Sequence, residues 1–188
     1  VVGCPSRGDD AATMLRTLAA LAKVGGRVRV FLEPTALYMS KDLHEPGDGQ
    51  WLFDYPDQGQ ALVPGEGRVY APEAGDLVVY TYGNGVPMAL RAARAIEQQL
   101  GWQVRVVDLR WLVPLDAGFI ASQAASARRV LVLDEGRHSG GVGEGVVTAL
   151  VEAGFGHLPL RRVCGADTYT PLAGAAMFGL PSDNAVIG

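Results

Sequence analysis

The densest group of residues that could do chemistry lies at positions 130–145, which read VLVLDEGRHSGGVGEG. An apolar run ends in two adjacent acids, Asp134 and Glu135, and a histidine and a serine follow before four glycines in the six positions 140–145. Glycine-rich turns between a strand and a helix can bind phosphate through backbone N–H groups, and a histidine or serine there can take part in proton or acyl transfer. The stretch therefore fits three interpretations: a nucleotide-binding loop, a catalytic elbow or a tight turn into a helix.

The glycine spacing argues against the first two interpretations. A dinucleotide fingerprint needs glycines at relative positions one, three and six, and the register that begins at Gly141 meets valine at the sixth position. The register that begins at Gly140 fails at Val142, and the strand expected next ends in Arg-Arg-Val rather than in an acid. No Gly-Lys-Ser/Thr follows for a phosphate loop, and Ser139 lacks the glycine two positions before it that a nucleophile elbow requires. We therefore predict a strand-to-helix turn whose glycines permit close packing of the backbone.

His138 is the candidate catalytic residue of this turn. An imidazole titrates near neutral pH, so this side chain could bind a carboxylate of a substrate or of a partner protein. The alternative is a solvated loop histidine. His44 and His157 lie in predicted loops without recognisable partners, and we assign them no role.

Composition and charge limit the class of protein. The 188 residues fit one domain, or one domain and part of another, and the 48% apolar content is enough for a well-filled core. A net charge of −4 argues against a nucleic-acid surface, and no apolar run or leader indicates a membrane span or a signal peptide. Cys4 and Cys164 match no metal or redox spacing, so we expect buried, reduced cysteines and a cytoplasmic location. Because the chain begins without methionine, it could be a fragment or a processed product.

Strands and helices alternate along the chain and predict an α/β protein. Residues 1–40 read strand, helix, strand, with Asp9 or Asp10 expected to cap the helix and Gly25-Gly26 expected to end it. A segment rich in proline, glycine and acids follows and shows no sustained period. The rest of the chain alternates four apolar strands with three helices, which predicts a three-layer, mainly parallel sheet.

The loops at the carboxyl ends of such parallel strands are where ligands bind, because helix N-termini point their free N–H groups there. Three segments qualify by this rule: Tyr82-Gly83-Asn84-Gly85, residues 136–145, and the segment from Gly165 to Tyr169.

Three phrases of the sequence carry a family resemblance: Phe31-Leu32-Glu33-Pro34 with Leu37-Tyr38, Asp108-Leu109-Arg110 with Pro114-Leu115-Asp116, and the ending Asp167-Thr168-Tyr169-Thr170-Pro171-Leu172. These phrases and the order of the blocks resemble the C-terminal part of the thiamine diphosphate-dependent 2-oxo acid dehydrogenases, specifically the beta-type half of their decarboxylating component. The resemblance covers nearly the whole chain. The ending is more similar to forms whose alpha and beta halves are fused in one chain. Transketolase and deoxyxylulose-phosphate synthase share the last domain and are the nearest alternatives.

The resemblance implies three parts. Residues 1–40 would close a pyrimidine-binding α/β domain, residues 41–75 would be an interdomain connector, and residues 76–188 would form a transketolase C-terminal domain. In such proteins the glutamate that activates the cofactor and the ligands of thiamine diphosphate and Mg²⁺ lie earlier in the chain, and Glu33 matches a later strand. We therefore expect no cofactor or metal ligand in these 188 residues, and an isolated fragment without activity.

The triplet Gly47-Asp48-Gly49 is a possible exception, because thiamine diphosphate enzymes hold their Mg²⁺ with a Gly-Asp-Gly at a strand end. Here the triplet lies in the proline-rich segment with no strand before it, and the next asparagine, Asn84, comes too late for that motif. We predict a turn.

For the complete protein, the resemblance implies oxidative decarboxylation of pyruvate or a branched-chain 2-oxo acid, with acyl transfer to lipoyl. The implied partners are a second copy or an alpha subunit, and a lipoyl acyltransferase. This region could then serve mainly in dimer formation and docking, although core burial is the alternative for each of the apolar candidates Trp102, Trp111, Met177 and Phe178. A freestanding flavodoxin-like binding module is a further alternative, but its best phosphate loop, from Tyr82 to Val86, has only two glycines.

Overall fold

The structure is a computed structural model that describes residues 1–187, apart from the side chains of residues 173 and 177. Within this range, strands assemble into one sheet of five strands and one of three. The larger sheet has the order β3-β5-β4-β7-β8. Its strands are β3 (Arg68–Tyr70), β4 (Leu77–Thr81), β5 (Val104–Asp108), β7 (Val130–Arg137) and β8 (Leu160–Gly165).

The four longer strands of this sheet run parallel, and only β3 is antiparallel, at the edge next to β5. Each parallel connection carries a helix, as parallel pairing requires. The connecting helices are α2 (Gly85–Leu100), α3 (Ala117–Ala124) and α4 (Val142–Glu152), and a short helix α5 (Asp183–Ile187) follows the last strand.

Helices cover both faces of the sheet, because its central strands are apolar on both sides. Residues 78, 80, 130 and 132 pack with α3 and α4, whereas the alternate residues 77, 79, 131 and 133 pack with α2 and α5. This alternation with a period of two places one core on each face. The predicted three-layer, mainly parallel α/β fold is therefore confirmed.

A small second sheet joins the N-terminal region to the middle of the chain. Its strands have the order β2-β1-β6, where β1 is Val2–Gly3, β2 is Val30–Phe31 and β6 is Trp111–Val113. Strands β1 and β2 are parallel, and helix α1 (Gly8–Gly25) connects them. We call residues 1–40, which contain β1, α1 and β2, the N-terminal unit. Strand β6 follows β5 in the sequence and pairs antiparallel with β1, so backbone hydrogen bonds hold the N-terminal unit to the segment that leaves the larger sheet. We predicted neither β3 nor β6, since three-residue strands give too little alternation to detect.

Helix α1 does not begin as expected. Its N-cap residue is Arg7, and no side chain caps the helix. The carboxylate of Asp9 instead pairs with Arg7, and that of Asp10 pairs with Arg68 of β3 and with Arg110 of the turn after β5. The expectation of an aspartate cap was therefore wrong. The C-terminal end is as predicted, because Gly26 has the left-handed backbone (φ 58°) that ends a helix.

The buried face of α1 is narrower than the spacing of its apolar residues predicts, because Leu15 lies outside it. Met14 and Leu18 are buried, but Leu15 is 52% exposed. Leu15 lines a cavity of about 610 Å³ between α1 and the following segment, along with Tyr38, Trp51 and other aromatic residues.

The segment 41–75 has a defined conformation despite its composition. The carboxylate of Asp48 accepts the backbone N–H groups of residues 43, 44, 45 and 50, and Asp42 accepts those of Gly47 and Gly49. These bonds hold the Gly-Asp-Gly triplet in a turn, as predicted, and they lower the pKa of Asp48. The segment also contains β3, so part of the predicted connector belongs to the larger sheet.

None of the described helices is long and apolar enough to cross a membrane.

Candidate functional site

The strand order creates a crevice at the carboxyl edge of the larger sheet. The chain passes from β4 outward to β5 and then returns to the other side of β4 as β7. The loops after β4 and β7 therefore leave in opposite directions, and this arrangement opens the crevice in which open α/β sheets bind ligands. Four side chains form two hydrogen-bonded pairs at this edge, and we call them the switch-point cluster: Tyr82, Asn84, Asp134 and Glu135.

Asp134 is the centre of this cluster. It is 1% exposed, and its carboxylate accepts hydrogen bonds from the Tyr82 hydroxyl at 2.6 Å and from the backbone N–H groups of Gly136 and Gly143 at 2.7 Å each. Gly143 lies in the first turn of α4, so the carboxylate satisfies a free N–H group at the helix N-terminus. A phosphate of a nucleotide would need this position, and the protein fills it with its own anion.

The glycines of the stretch are explained by the same carboxylate. A Cβ atom on Gly136 or Gly141 would lie 2.8 Å from an Asp134 oxygen, and one on Gly143 would lie 3.2 Å away. The backbone can close around Asp134 only without these Cβ atoms. The predicted turn into a helix is confirmed, and its glycines serve to enclose a buried acid.

The second pair of the cluster is Asn84 and Glu135. The Asn84 amide donates to the Glu135 carboxylate at 2.6 Å. Burial raises the pKa of Glu135, an effect that the bond from Asn84 opposes and the charge of Asp134 reinforces. Burial also raises the pKa of Tyr82, and its bond to Asp134 adds to the shift, so the phenol remains protonated at neutral pH. The cluster is a set of satisfied hydrogen bonds rather than a poised acid and base.

The N-terminal unit covers one side of this cluster. A Cβ atom on Gly83, where φ is 53°, would lie 2.9 Å from the Cys4 sulfur and 3.3 Å from Pro34. Burial raises the pKa of Cys4 to about 12, and the charges of Asp108 and Glu135 contribute further. Because the thiolate is the nucleophilic form of cysteine, this protonated thiol serves in packing. Cys4 is buried and Cys164 is partly buried, and both are free.

His138 lies outside the cluster, on the exposed part of the same turn. Its carbonyl oxygen accepts a hydrogen bond from Arg162 Nη1 at 3.0 Å, and Arg162 Nη2 is 3.2 Å from the imidazole Nε2. The neighbouring Ser139 donates from its hydroxyl to Asp167 at 2.6 Å. The structure thus places an exposed histidine beside a largely buried arginine, which also lies 3.8 Å from the Glu144 carboxylate, and a catalytic role for His138 stays a prediction.

The other two histidines have structural neighbours. The backbone N–H of His44 donates to Asp48, and the His157 imidazole is 3.0 Å from the carbonyl oxygen of Gly154. Among residues 1–187, no group of three or more histidine, cysteine, aspartate or glutamate residues could hold a metal ion.

The sequence pointed to the right loops but not to the residue that organises them. Asp134 has no assigned role in the sequence-based predictions. A usable signal was present, since Asp134 is followed by glycines at the second, seventh and ninth positions after it. Such spacing is expected where the backbone of a turn closes around the carboxylate of the residue that precedes it, because a Cβ atom at these positions would contact the carboxylate.

Residues 65–184 match the family model described as transketolase, C-terminal domain. The chain belongs to this family. It is 33% identical over 185 residues, 97% of its length, to the 3-methyl-2-oxobutanoate dehydrogenase subunit beta of Mycobacterium tuberculosis. Over 160 residues, 84% of the chain, it is 33% identical to the pyruvate dehydrogenase E1 component subunit beta of Staphylococcus aureus. The predicted resemblance to beta-type halves of 2-oxo acid dehydrogenases is therefore confirmed.

The chain spans about half the length of the curated relatives it matches, 49% of the first and 46% of the second. Its fold is similar to a solved split gene transketolase, an inactive beta4 tetramer, with a TM-score of 0.67 at 23% identity. That likeness covers 99% of this chain and 54% of the transketolase chain, and it supports the fold as a whole, including the small N-terminal sheet.

Proposed function

We propose that these residues are the C-terminal part of the beta-type half of a 2-oxo acid dehydrogenase. The complete protein would oxidatively decarboxylate pyruvate or a branched-chain 2-oxo acid and pass the acyl group to lipoyl. The observation that carries this proposal is the 33% identity over 97% of the chain to a 3-methyl-2-oxobutanoate dehydrogenase beta subunit. A transketolase or a deoxyxylulose-phosphate synthase remains the alternative within the same family.

We propose further that thiamine diphosphate and Mg²⁺ are held by residues outside this chain. The residues present do not fit the group. The helix N-terminus at the switch point is satisfied by Asp134, and the carboxylate of Asp48 is committed to backbone N–H groups of its own turn. We derive no catalytic step from these residues, and we expect the isolated 188 residues to be inactive. The division into a pyrimidine-domain end (1–40), a connector (41–75) and a C-terminal domain (76–188) is part of this proposal.

The role that we propose for this region is assembly with a second subunit and with a lipoyl acyltransferase. The exposed apolar residues of the C-terminal segment support this role. Tyr169, Leu172 and Phe178 all lie between positions 169 and 178 and are 93%, 91% and 94% exposed, and exposed apolar patches are typical of interaction surfaces. Of the candidates named from sequence, Trp111 is buried, Trp102 is partly buried under the Arg129 guanidinium, and Phe178 is free to contact a partner. The side chain of Met177 lies outside the described residues.

The proposed activity can be tested on the complete protein, expressed with its natural upstream sequence and any co-encoded alpha subunit. We expect reduction of an artificial electron acceptor that depends on both a 2-oxo acid and thiamine diphosphate, with pyruvate and 3-methyl-2-oxobutanoate compared directly. Ketol transfer between sugar phosphates in place of this reaction would favour the transketolase alternative. Absence of activity with every 2-oxo acid would overturn the proposal.

The proposed assembly surface has its own test. We expect Phe178→Ser to weaken association with the partner subunit or the acyltransferase in analytical ultracentrifugation. Val151→Ser is the matched control, because Val151 is also an exposed apolar residue (55%) but lies on α4. Equal effects of the two substitutions would contradict the proposed surface.

For His138 we propose a contact with the carboxylate of the substrate or of a partner, assisted by the adjacent Arg162. His138→Asn should then raise KM for the 2-oxo acid, or weaken partner binding, with little change in kcat. His157→Asn, at a second exposed loop histidine, should leave both unchanged. Identical kinetics and partner binding for wild type and His138→Asn would refute the contact.

A further inference from the structure

The junction between the N-terminal unit and the larger sheet is rich in buried charge. We call its charged residues the junction cluster. Arg7, Asp9 and Asp10 come from the N-terminal unit, whereas Arg68 of β3, Asp108 of β5 and Arg110 come from the other side. Both Asp10 and Asp108 are almost inaccessible, with exposed fractions of 2% and 0%. None of the proposed roles above uses these groups.

The three guanidinium groups of this cluster bind the carboxylates of Asp9 and Asp10 and not that of Asp108. Arg110 donates to both oxygens of Asp10 at 2.9 and 2.7 Å, and Arg68 donates to the same two oxygens at 3.2 and 2.8 Å. Arg7 is occupied in the same two-pronged way by Asp9. All three arginines are therefore committed to the aspartates at the start of α1.

Asp108 receives only neutral donors. One carboxylate oxygen accepts the Ser6 hydroxyl, and the other accepts the backbone N–H of Arg110 at 3.0 Å. Within residues 1–187 it forms no ion pair of its own. A buried carboxylate without a cation is costly when charged, whereas its protonated form is tolerated.

The other groups near Asp108 do not remove this cost. The Arg110 guanidinium lowers the pKa of Asp108, as does the Ser6 hydroxyl, but the negative charge of Asp10 raises it. On the remaining sides are two neutral groups, the Tyr70 phenol of β3 and the Cys4 thiol, and the charge of Asp108 raises the pKa of each. Burial is the largest effect, and it raises the pKa of Asp108 to about 6.

Asp108 lies in the contact between the N-terminal unit and the larger sheet, so the cost of burying its charge depends on whether that contact is closed. Ser6 belongs to the N-terminal unit, and the backbone N–H of Cys4 donates to the Arg110 carbonyl oxygen at 2.8 Å across the same junction. Arg110 holds this geometry with a left-handed backbone (φ 58°), which is uncommon for a residue other than glycine. Separating the two units would bring Asp108 into water.

We propose that Asp108 makes this junction a pH-sensitive latch, which holds the N-terminal unit firmly against the sheet when Asp108 is protonated and loosens when it ionises. The direction follows from linkage. A carboxyl whose pKa is raised in the closed junction binds its proton more tightly there than when solvated. Its stabilising contribution is therefore complete below its ordinary pKa, near 4, and is lost as pH rises through about 6.

Hydrogen exchange of the complete protein tests the latch. The Cys4 N–H can exchange only when the junction opens, so its protection relative to the intrinsic exchange rate reports the closed-to-open ratio. A pKa near 6 predicts that this ratio falls about 10-fold between pH 5.0 and pH 7.5. The N–H of Val79, inside the ladder of the larger sheet, should show no comparable change.

Substitutions assign the effect to Asp108. Asp108→Asn is an uncharged isostere and should give protection at Cys4 that is independent of pH. Asp54→Asn removes the same charge from an exposed position and should behave as wild type. A pH dependence that persists in Asp108→Asn, or a flat profile in wild type, would overturn the proposal.

Ser6→Ala supplies an independent check if Asp108→Asn does not fold. The Ser6 hydroxyl lowers the pKa of Asp108, so its removal should move the loss of protection to higher pH. A shift to lower pH, or no shift, would contradict a latch centred on Asp108.

Discussion

Replacement of Asp134 by alanine should be among the most destabilising single changes in this protein. The carboxylate is 1% exposed and accepts hydrogen bonds from Tyr82, Gly136 and Gly143 at 2.6–2.7 Å. Alanine leaves these three donors unpaired in a site that water does not reach. A buried donor without a partner costs about 1–3 kcal/mol.

The three costs are not fully additive, since the Tyr82 hydroxyl can rotate and the turn can relax. We therefore expect a loss of about 3–6 kcal/mol in the free energy of unfolding, a large part of the roughly 5–15 kcal/mol typical of a folded protein. The change would be read from the midpoint of urea unfolding at constant slope. Asp134→Asn keeps one acceptor but brings an N–H₂ group against N–H donors, so its loss should be intermediate.

Asp167→Ala is the matched control for this prediction. Asp167 also accepts two hydrogen bonds from a loop residue, the backbone N–H and the hydroxyl of Ser139 at 2.9 and 2.6 Å, but it is exposed. Water replaces those bonds, so its removal should cost much less stability than the removal of Asp134. If Asp134→Ala lost no more stability than Asp167→Ala, the argument that Asp134 organises the turn would be refuted.

Three further substitutions extend these arguments. Gly141→Ala should lower the free energy of unfolding by about 1–3 kcal/mol, because its Cβ would lie 2.8 Å from both an Asp134 oxygen and a backbone oxygen. Gly59→Ala is the control in the same urea assay and should be neutral, because no atom lies within 4 Å of its Cβ. Tyr82→Phe removes one donor to Asp134 and should lower the thermal midpoint measured by calorimetry; an unchanged midpoint would show that water replaces the phenol. Asp10→Ala leaves the guanidinium groups of Arg68 and Arg110 without their shared carboxylate and should cost about 3–5 kcal/mol in urea unfolding. A cost below about 1 kcal/mol would show that water solvates the two guanidinium groups.

The sequence was sufficient for the larger sheet because its signals are local. Strands β4, β5 and β7 are apolar on both faces, and such runs between amphipathic helices favour few arrangements other than a covered parallel sheet. The sequence predicts helices over 86–100 and 141–153, which differ from the observed α2 and α4 by at most one residue at either end. Gly26 and Gly101 end α1 and α2 with left-handed backbones, which is the conformation that glycine signals in sequence.

The small sheet and the junction cluster could not be predicted in this way, because their partners are distant in sequence. Strand β6 exists through its pairing with β1, more than 100 residues earlier. Asp9 and Asp10 stand where an N-cap is expected, and local preference alone would assign them to the helix start. They bind arginines instead, two of which are supplied by β3 and by the turn after β5. Tertiary ion pairs here prevailed over a local cap worth about 1 kcal/mol.

Two of the buried aspartates show how similar residues acquire opposite roles. Asp108 ends β5 and Asp134 lies in the second half of β7, in parallel strands of the same sheet, and both are almost inaccessible. Asp134 accepts two backbone N–H groups and a phenol, one of them from a helix N-terminus whose dipole favours negative charge. Asp108 accepts one backbone N–H and one hydroxyl, while the nearest arginine is turned toward Asp10. Asp134 is therefore a fixed part of the turn. The energy of Asp108 depends on its proton, and Asp108 lies where two units of the chain meet.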